Sequence, residues 1–176
     1  GRKTCNKLNQ LSSGDIKTLV VGTHASALPQ QTLREEPYDF VCQGEGPLTI
    51  INLIDFIKGK IKNLNKIPGL WYFDKDKNVT FNPSAKMFDN LDVNLPGQAW
   101  SLLDMSKYKA HNWHTFGKLS SRSNYASLQT SLGCPFKCTF CCINAPFERN
   151  TIRHWSPKHI VHQIKILVEE YKIFNI

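Results

Sequence analysis

The sequence predicts an α/β fold, and three observations support this class. Two short apolar runs, at residues 19–21 and 38–42, are each followed within two residues by glycine, as is typical of buried strands. Each run is followed by a segment of helical character, at 28–36 and at 47–57. A cysteine-rich loop precedes a further amphipathic helix that begins at Ser156-Pro157. The order strand, helix, strand, helix favours an open parallel sheet.

The loops after the first two strands are the first candidate binding elements. Ligands of open α/β sheets bind at the carboxyl ends of the strands. The candidates in these loops are Gly22, His24, Gly44, Glu45 and Gly46. Glycine lets the backbone approach a ligand closely, but it also simply permits a turn. A lone histidine can equally be a hydrogen-bonding loop residue.

The middle of the chain predicts a hairpin and then an irregular linker. Residues 70–73 and 79–81 are apolar and flank a polar turn at 74–78, while 91–108 contain Pro96-Gly97. After Ser156, apolar residues recur on one helical face, at Ile160, Val161, Ile164, Leu167, Val168 and Tyr171. A last strand is predicted at 171–176. Because two parallel strands are too few to fold alone, we expect the chain to be part of a longer protein.

Composition limits the function classes. The 176 residues carry a formal charge of +8, but the lysines and arginines are dispersed, so we do not expect nucleic acid as a partner. Four of the six cysteines fall between residues 134 and 142, which is typical of a metal site rather than a disulfide framework. This predicts a reducing, cytoplasmic location. No apolar run approaches the roughly 18 residues of a membrane span.

The most informative motif is Cys134-x-x-x-Cys138-x-x-Cys141. Three thiolates on one loop can hold three irons of a four-iron cluster, and the fourth iron then keeps an open coordination site. Such an open site indicates chemistry rather than a structural role.

Two other interpretations of this region stay open. A zinc-binding module could use Cys134, Cys138 and Cys141 with Cys142 or His154 as the fourth ligand, although no second ligand pair follows at the usual spacing. A nucleic-acid interface could use the net charge and the aromatic side chains of Trp113, Tyr125 and Trp155 for stacking.

With these residues in view, the second half resembles the start of the radical S-adenosylmethionine (SAM) superfamily. The three cysteines match its cluster-binding signature, and Phe140 occupies the aromatic position before the third. The resemblance implies a [4Fe-4S] cluster held by Cys134, Cys138 and Cys141, with SAM chelated to the open iron. Phe140 would pack near the adenine or anchor the loop.

The first half resembles the end of the cobalamin-binding domain that precedes the radical SAM domain in one large subgroup. The Gly44-Glu45-Gly46 element is intact, whereas Gly22-Thr23-His24 replaces a common Gly-Gly-Pro-His element. The implied fold is the end of a Rossmann-like (flavodoxin-like) domain at 1–60, a hairpin and linker at 61–127, and the first β/α unit of a partial TIM-type barrel at 128–176. Both ends would be truncated.

The resemblance implies an enzyme with three cofactors: the iron-sulfur cluster, SAM and cobalamin. Reductive cleavage of SAM would give a 5′-deoxyadenosyl radical, used for methyl transfer to carbon or for a radical rearrangement of a small-molecule substrate. An electron donor such as flavodoxin or ferredoxin would be required. We expect these 176 residues to be inactive by themselves. No general acid or base can be named.

Overall fold

The computed structural model describes residues 1–12, 15–110 and 122–176, which form two units. One unit comprises Gly1–Met87 and Gly133–Thr151, and the other comprises Phe88–Leu132 and Ile152–Ile176. The helices are α1 Arg2–Ser12, α2 Thr23–Ala27, α3 Pro29–Glu35, α4 Pro47–Ile57, α5 Leu91–Asn94 and α6 Pro157–Glu169. The strands are β1 Leu19–Val20, β2 Phe40–Cys42, β3 Leu70–Phe73, β4 Val79–Phe81, β5 Ser131–Gly133 and β6 Ile152–His154.

The sheet of the first unit is mixed, with the strand order β1-β2-β3-β4. β1 and β2 are parallel, with Leu19 opposite Phe40. The hairpin then continues the sheet, because β3 pairs antiparallel with β2 and β4 pairs antiparallel with β3. The parallel pairing predicted for the first two strands is confirmed, but the sheet as a whole is mixed rather than parallel, because the hairpin joins it. The backbone groups along that edge of β2 are satisfied by the hairpin rather than by a further parallel strand.

Both faces of this sheet are covered by helices. Because side chains alternate along a strand, neighbouring positions contribute to different cores. The core on the side of α4 contains Phe40, Leu53, Ile67, Leu70 and Tyr72. The core on the side of α2 and α3 contains Ala25, Leu33 and Val41, packed against Val20, Trp71 and Val79. This arrangement confirms the α/β class.

The predicted elements of this unit are present with nearly the expected bounds. The hairpin agrees with the prediction at both strands, and its Trp71 and Phe81 rings stack with centroids 4.6 Å apart. Helix α1 was not predicted, because its sequence is polar and buries only Cys5. An ion pair between Arg2 and Glu36, 2.6 Å, links α1 to the segment after α3.

The beginnings of β1 and β2 are joined through the side chains of Asp39 and Thr18. Oδ2 of Asp39 accepts hydrogen bonds from the backbone N–H and from the hydroxyl of Thr18, both at 2.8 Å. The backbone N–H of Asp39 donates to the Thr18 hydroxyl at 3.0 Å. Burial alone would raise the pKa of Asp39, but these bonds and the nearby Lys17 hold the pKa below its usual value.

We expect this carboxylate to make folding stability depend on acid pH. A group whose pKa is lower in the folded than in the unfolded chain stabilises the fold above its unfolded pKa, and that contribution is lost as pH falls through the folded pKa. The free energy of unfolding should therefore decrease below about pH 4. Urea titrations across this range should show a smaller decrease for Asp39→Asn. An equal decrease in both proteins would contradict the assignment.

The second unit is built around α6. Its buried core contains Trp100, Met105, Ala126, Leu167 and Ile173. The segment predicted as an irregular linker thus supplies Trp100 and Met105 to this core. The Nε1–H of Trp100 also donates to Oε1 of Gln163 on α6 at 3.2 Å. The domain boundaries proposed from the sequence stay predictions.

Helix α6 begins as its sequence predicts. The Ser156 hydroxyl accepts the backbone N–H of His159 at 3.1 Å, and Pro157 occupies the first turn. The predicted strand at 171–176 is reduced to one parallel bridge between Tyr125 and Asn175. β5 and β6 form a two-stranded sheet, and the described part of the chain closes no barrel. None of the helices in the described ranges has the length and apolar character needed to cross a membrane.

Candidate functional site

The three motif cysteines surround a single cavity. Cys134 is half-buried, while Cys138 and Cys141 are exposed, and all three are free thiols. The cavity has a volume of about 260 Å³ and is also lined by Phe136, Lys137, Ile143, Asn144 and Asn150. The three cysteine sulfurs and the cationic side chain of Lys137 therefore line the same cavity.

Gly133 sets the start of this loop. Its φ is +89°, a conformation that favours glycine, and it is the last residue of β5. A Cβ atom at this position would collide with the carbonyl oxygen of Thr151. The absence of a side chain therefore lets the chain turn from β5 directly into Cys134.

The side chain of Asn144 closes the loop from its other end. Its Oδ1 accepts the backbone N–H of Cys134 at 2.9 Å, and its Nδ2–H donates to the carbonyl oxygen of Cys134 at 2.8 Å. Further contacts join Nδ2 to Oδ1 of Asn150 at 3.1 Å and to the carbonyl oxygen of Phe136 at 3.4 Å. One carboxamide thus holds the first cysteine from both sides of its backbone. Sequence reasoning missed this residue, since a single asparagine gives no motif.

The cysteine donors of this cavity bear on whether the loop holds a single metal ion or an iron-sulfur cluster. No three His, Cys, Asp or Glu side chains in the described residues are placed to hold one metal ion. A tetrahedral zinc ion with Zn–S bonds of about 2.3 Å requires its sulfurs to lie roughly 4 Å apart. In an iron-sulfur cluster each thiolate binds a different iron, and thiolates are the usual protein ligands of such clusters. By their chemistry, the three cysteine donors that line this cavity suit a cluster.

Three other residues named from the sequence lie outside this cavity. Phe140 does not line it, and its side chain is 92% exposed. Cys142 and His154, the suggested fourth zinc ligands, do not line it either. The adenine contact of Phe140 stays a prediction.

The aromatic residues of the nucleic-acid interpretation are only partly described. Trp113 lies outside the described residues. Trp155 is half-buried, and its Nε1–H donates to the carbonyl oxygen of Leu95 at 2.8 Å. Tyr125 is half-buried in a bridge to Asn175. Both residues are thus held within their own unit, Trp155 through its ring and Tyr125 through its backbone.

The predicted glycine loops lie together at one edge of the sheet. Gly22 precedes α2 with φ +120°, and Gly44 and Gly46 precede α4 with φ +110° and +100°. The hydroxyl of Ser26 accepts the N–H of Gly44 at 3.1 Å and lies 3.4 Å from its carbonyl oxygen. A Cβ at Gly22 would meet no atom within 4 Å, so the backbone there is open. His24, which was predicted to lie in a loop, lies instead in the first turn of α2 and is exposed, whereas Glu45 is half-buried.

The cysteine loop and these glycine loops belong to the same unit. The 3-10 turn at Ala145–Phe147 packs against α2. The hydroxyl of Ser84 donates to Oε1 of Glu148, which fixes the residue after that turn to the segment beyond the hairpin. The structure therefore places the predicted cluster ligands and the predicted cobalamin-contacting loops on one packed body. Ser26 and Ser84, which make these connections, had no recognisable sequence signal.

Comparison with known proteins gives relatives along nearly the whole chain. No family model matches. The chain is 32% identical over 174 residues to the uncharacterized methyltransferase PH0819 of Pyrococcus horikoshii, which covers 98% of this chain and 35% of that protein. It is 29% identical over 162 residues to the anaerobic magnesium-protoporphyrin IX monomethyl ester cyclase of Rubrivivax gelatinosus, covering 90% of this chain and 27% of the cyclase. The chain thus spans about a third of the length of the first relative and about a quarter of the second.

Solved structures have the same fold. The cobalamin-dependent SAM radical enzyme OxsB, solved with aqua-cobalamin and SAM bound, matches 97% of this chain with a TM-score of 0.62 and 21% identity. The predicted resemblance to cobalamin-binding radical SAM enzymes is confirmed. The radical SAM methyltransferase TsrM from Kitasatospora setae, solved with cobalamin and a [4Fe-4S] cluster, matches 97% with a TM-score of 0.61 and 15% identity. The chain covers 21% of OxsB and 31% of TsrM.

Proposed function

We propose that this chain is part of a cobalamin-dependent radical SAM enzyme, in which Cys134, Cys138 and Cys141 bind a [4Fe-4S] cluster. The observation that carries the proposal is the placement of the three free thiols around one cavity of about 260 Å³. We propose a reducing compartment such as the cytoplasm, because four of the six cysteines are gathered between residues 134 and 142 rather than distributed as in a disulfide framework.

The residues around the cavity suit this group. Thiolates are the usual protein ligands of iron-sulfur clusters, and three of them leave one iron open. Lys137 lines the same cavity. Its positive charge favours the binding of an anionic cluster and of the carboxylate group of SAM. When bound and reduced, the cluster supplies the electron that cleaves SAM. Phe136 and Ile143 add apolar surface to the wall of the cavity.

The glycine loops support a second cofactor in the same unit. Gly22, Gly44 and Gly46 have positive φ and no side chain, and open space borders Gly22, so the backbone there can approach a large planar ligand. We propose that these glycines, with His24 and Glu45, contact cobalamin. OxsB and TsrM, which share the fold, were both solved with cobalamin bound.

We propose methyl transfer to carbon as the reaction, on a small-molecule substrate, with a flavodoxin or ferredoxin as electron donor. The relative from Pyrococcus horikoshii and the structural neighbour TsrM both carry methyltransferase names. A radical rearrangement is the second candidate, because a relative of 29% identity is named a cyclase. In both cases the cofactors carry the difficult step, and the protein positions them.

Anaerobic reconstitution tests this proposal. The whole protein, supplied with iron and sulfide, should bind about four irons and four sulfides per chain, with broad absorbance in the blue part of the visible spectrum. The electron paramagnetic resonance signal of the reduced cluster should change when SAM is added. A colourless protein with one zinc per chain would contradict the proposal and support the zinc module.

A further inference from the structure

We propose that Asn144 is a positioning residue that holds the cysteine loop in its cluster-binding conformation. This inference deepens the proposed function and rests on it. Asn144 lies outside the motif Cys134-x-x-x-Cys138-x-x-Cys141, three residues beyond its last cysteine. Its side chain nevertheless lines the same cavity as the three thiols.

The oxygen and both N–H groups of the Asn144 carboxamide are engaged in hydrogen bonds. A carboxamide has one oxygen acceptor and two N–H donors. In Asn144 the oxygen accepts the N–H of Cys134, and the two donors reach the carbonyl oxygen of Cys134 at 2.8 Å and Oδ1 of Asn150 at 3.1 Å. No other side chain of similar size offers an acceptor and two donors in this arrangement.

These bonds hold both backbone groups of the first cysteine, Cys134. One side chain binds both the N–H and the C=O of Cys134, as a partner residue does in an antiparallel strand pair. The backbone angles of this cysteine are therefore restricted. The bonds span ten residues and close the segment that contains all three thiols. A loop fixed before binding loses less conformational entropy when it takes up a ligand.

Asn144 is itself anchored by the turn that follows it. The 3-10 turn Ala145–Phe147 follows directly and packs against α2. The Glu148 carboxylate after this turn accepts the hydroxyl of Ser84. Asn144 is therefore the point at which the cysteine loop is attached to the body of its unit.

The test compares three variants of the whole protein. Asn144→Ala removes all of the contacts, and Asn144→Asp keeps the acceptor but loses both donors. Asn82→Ala is the matched control, since the Asn82 amide also donates to two carbonyl oxygens, those of Leu64 and Ile67, but away from the cysteine loop. Each lost hydrogen bond contributes about 1 kcal/mol, so two or more lost bonds correspond to at least about tenfold in an equilibrium.

Two measurements separate positioning from general stability. In the reconstituted proteins, transfer of iron to a chelator should be at least about tenfold faster for both Asn144 variants than for wild type and Asn82→Ala. In the proteins without cluster, hydrogen exchange of the Cys134 amide should rise by a similar factor only in Asn144→Ala. Asn82→Ala should lower the midpoint of urea unfolding without changing either rate.

The outcomes are distinguishable. Unchanged iron transfer and unchanged exchange in Asn144→Ala would overturn the positioning role. Equal acceleration of iron transfer in Asn82→Ala would also overturn it, because the effect would then follow stability alone. If wild type binds no cluster, the proposed function fails and the role toward the cluster fails with it. The exchange measurement would still decide whether Asn144 fastens the loop.

Discussion

Replacing Cys134, Cys138 or Cys141 with alanine is expected to remove nearly all iron from the whole protein. Each thiolate would be the only protein ligand of its iron, so its loss leaves that iron without an anchor. Loss of a partner behind a metal ligand already costs about 10- to 100-fold in affinity, and we expect loss of the ligand itself to exceed about 100-fold. Iron and labile sulfide per chain, measured after anaerobic reconstitution, test this directly.

Two other cysteines of the chain provide the controls. Cys142 is adjacent to the last ligand but does not line the cavity, and Cys5 lies in α1. Cys142→Ala and Cys5→Ala should therefore keep nearly the full iron content. Retention of iron by any of the three motif variants, or its loss from Cys142→Ala, would refute the ligand assignment.

Gly133→Ala is expected to have the second largest effect. An L-residue at positive φ costs about 1–2 kcal/mol. In addition, the new methyl group would collide with the carbonyl oxygen of Thr151, so the backbone at the end of β5 must move. Because Gly133 directly precedes Cys134, this movement would displace the first cysteine. We expect a lower free energy of unfolding together with a substantial loss of bound iron.

Gly59→Ala is the matched control for this substitution. Gly59 has φ +77°, similar to the +89° of Gly133, but a Cβ there would meet no atom within 4 Å. The free energy of unfolding of Gly59→Ala, measured with urea, should fall only by the cost of the positive φ, about 1–2 kcal/mol. This variant should keep its iron. If Gly133→Ala also keeps its iron and is destabilised no more than Gly59→Ala, the close approach to Thr151 has no role in the loop.

Local sequence information predicted those elements whose signals lie within a few residues. The hairpin was predicted because two apolar segments flank a polar turn, and in the structure Oδ1 of Asp74 accepts the N–H groups of Asp76 and Asn78. The cap at Ser156 was equally local. The addition of β3 to β2 was not predicted, because pairing between separate segments depends on contacts that no local pattern records.

The candidate site, like the fold, was predicted only where its signal lies within a few residues of sequence. The spacing of Cys134, Cys138 and Cys141 identified the donors, since three thiolates in one short segment have few other uses. The side chains that hold the cysteine loop and the loop at Gly44 were not predicted. Asn144 and Ser26 act through single side chains on distant backbone atoms, and such contacts leave no repeat or spacing in the sequence.

The first unit is assembled from two stretches of chain, and residues 88–132 intervene between Gly1–Met87 and Gly133–Thr151. Contacts between remote segments require closure of a long loop and slow the folding step that forms them. The strands and helices of Gly1–Met87 can associate earlier, through contacts that are closer in sequence. We therefore expect the cysteine segment to dock late, so that metal loading follows, rather than directs, folding of the sheet.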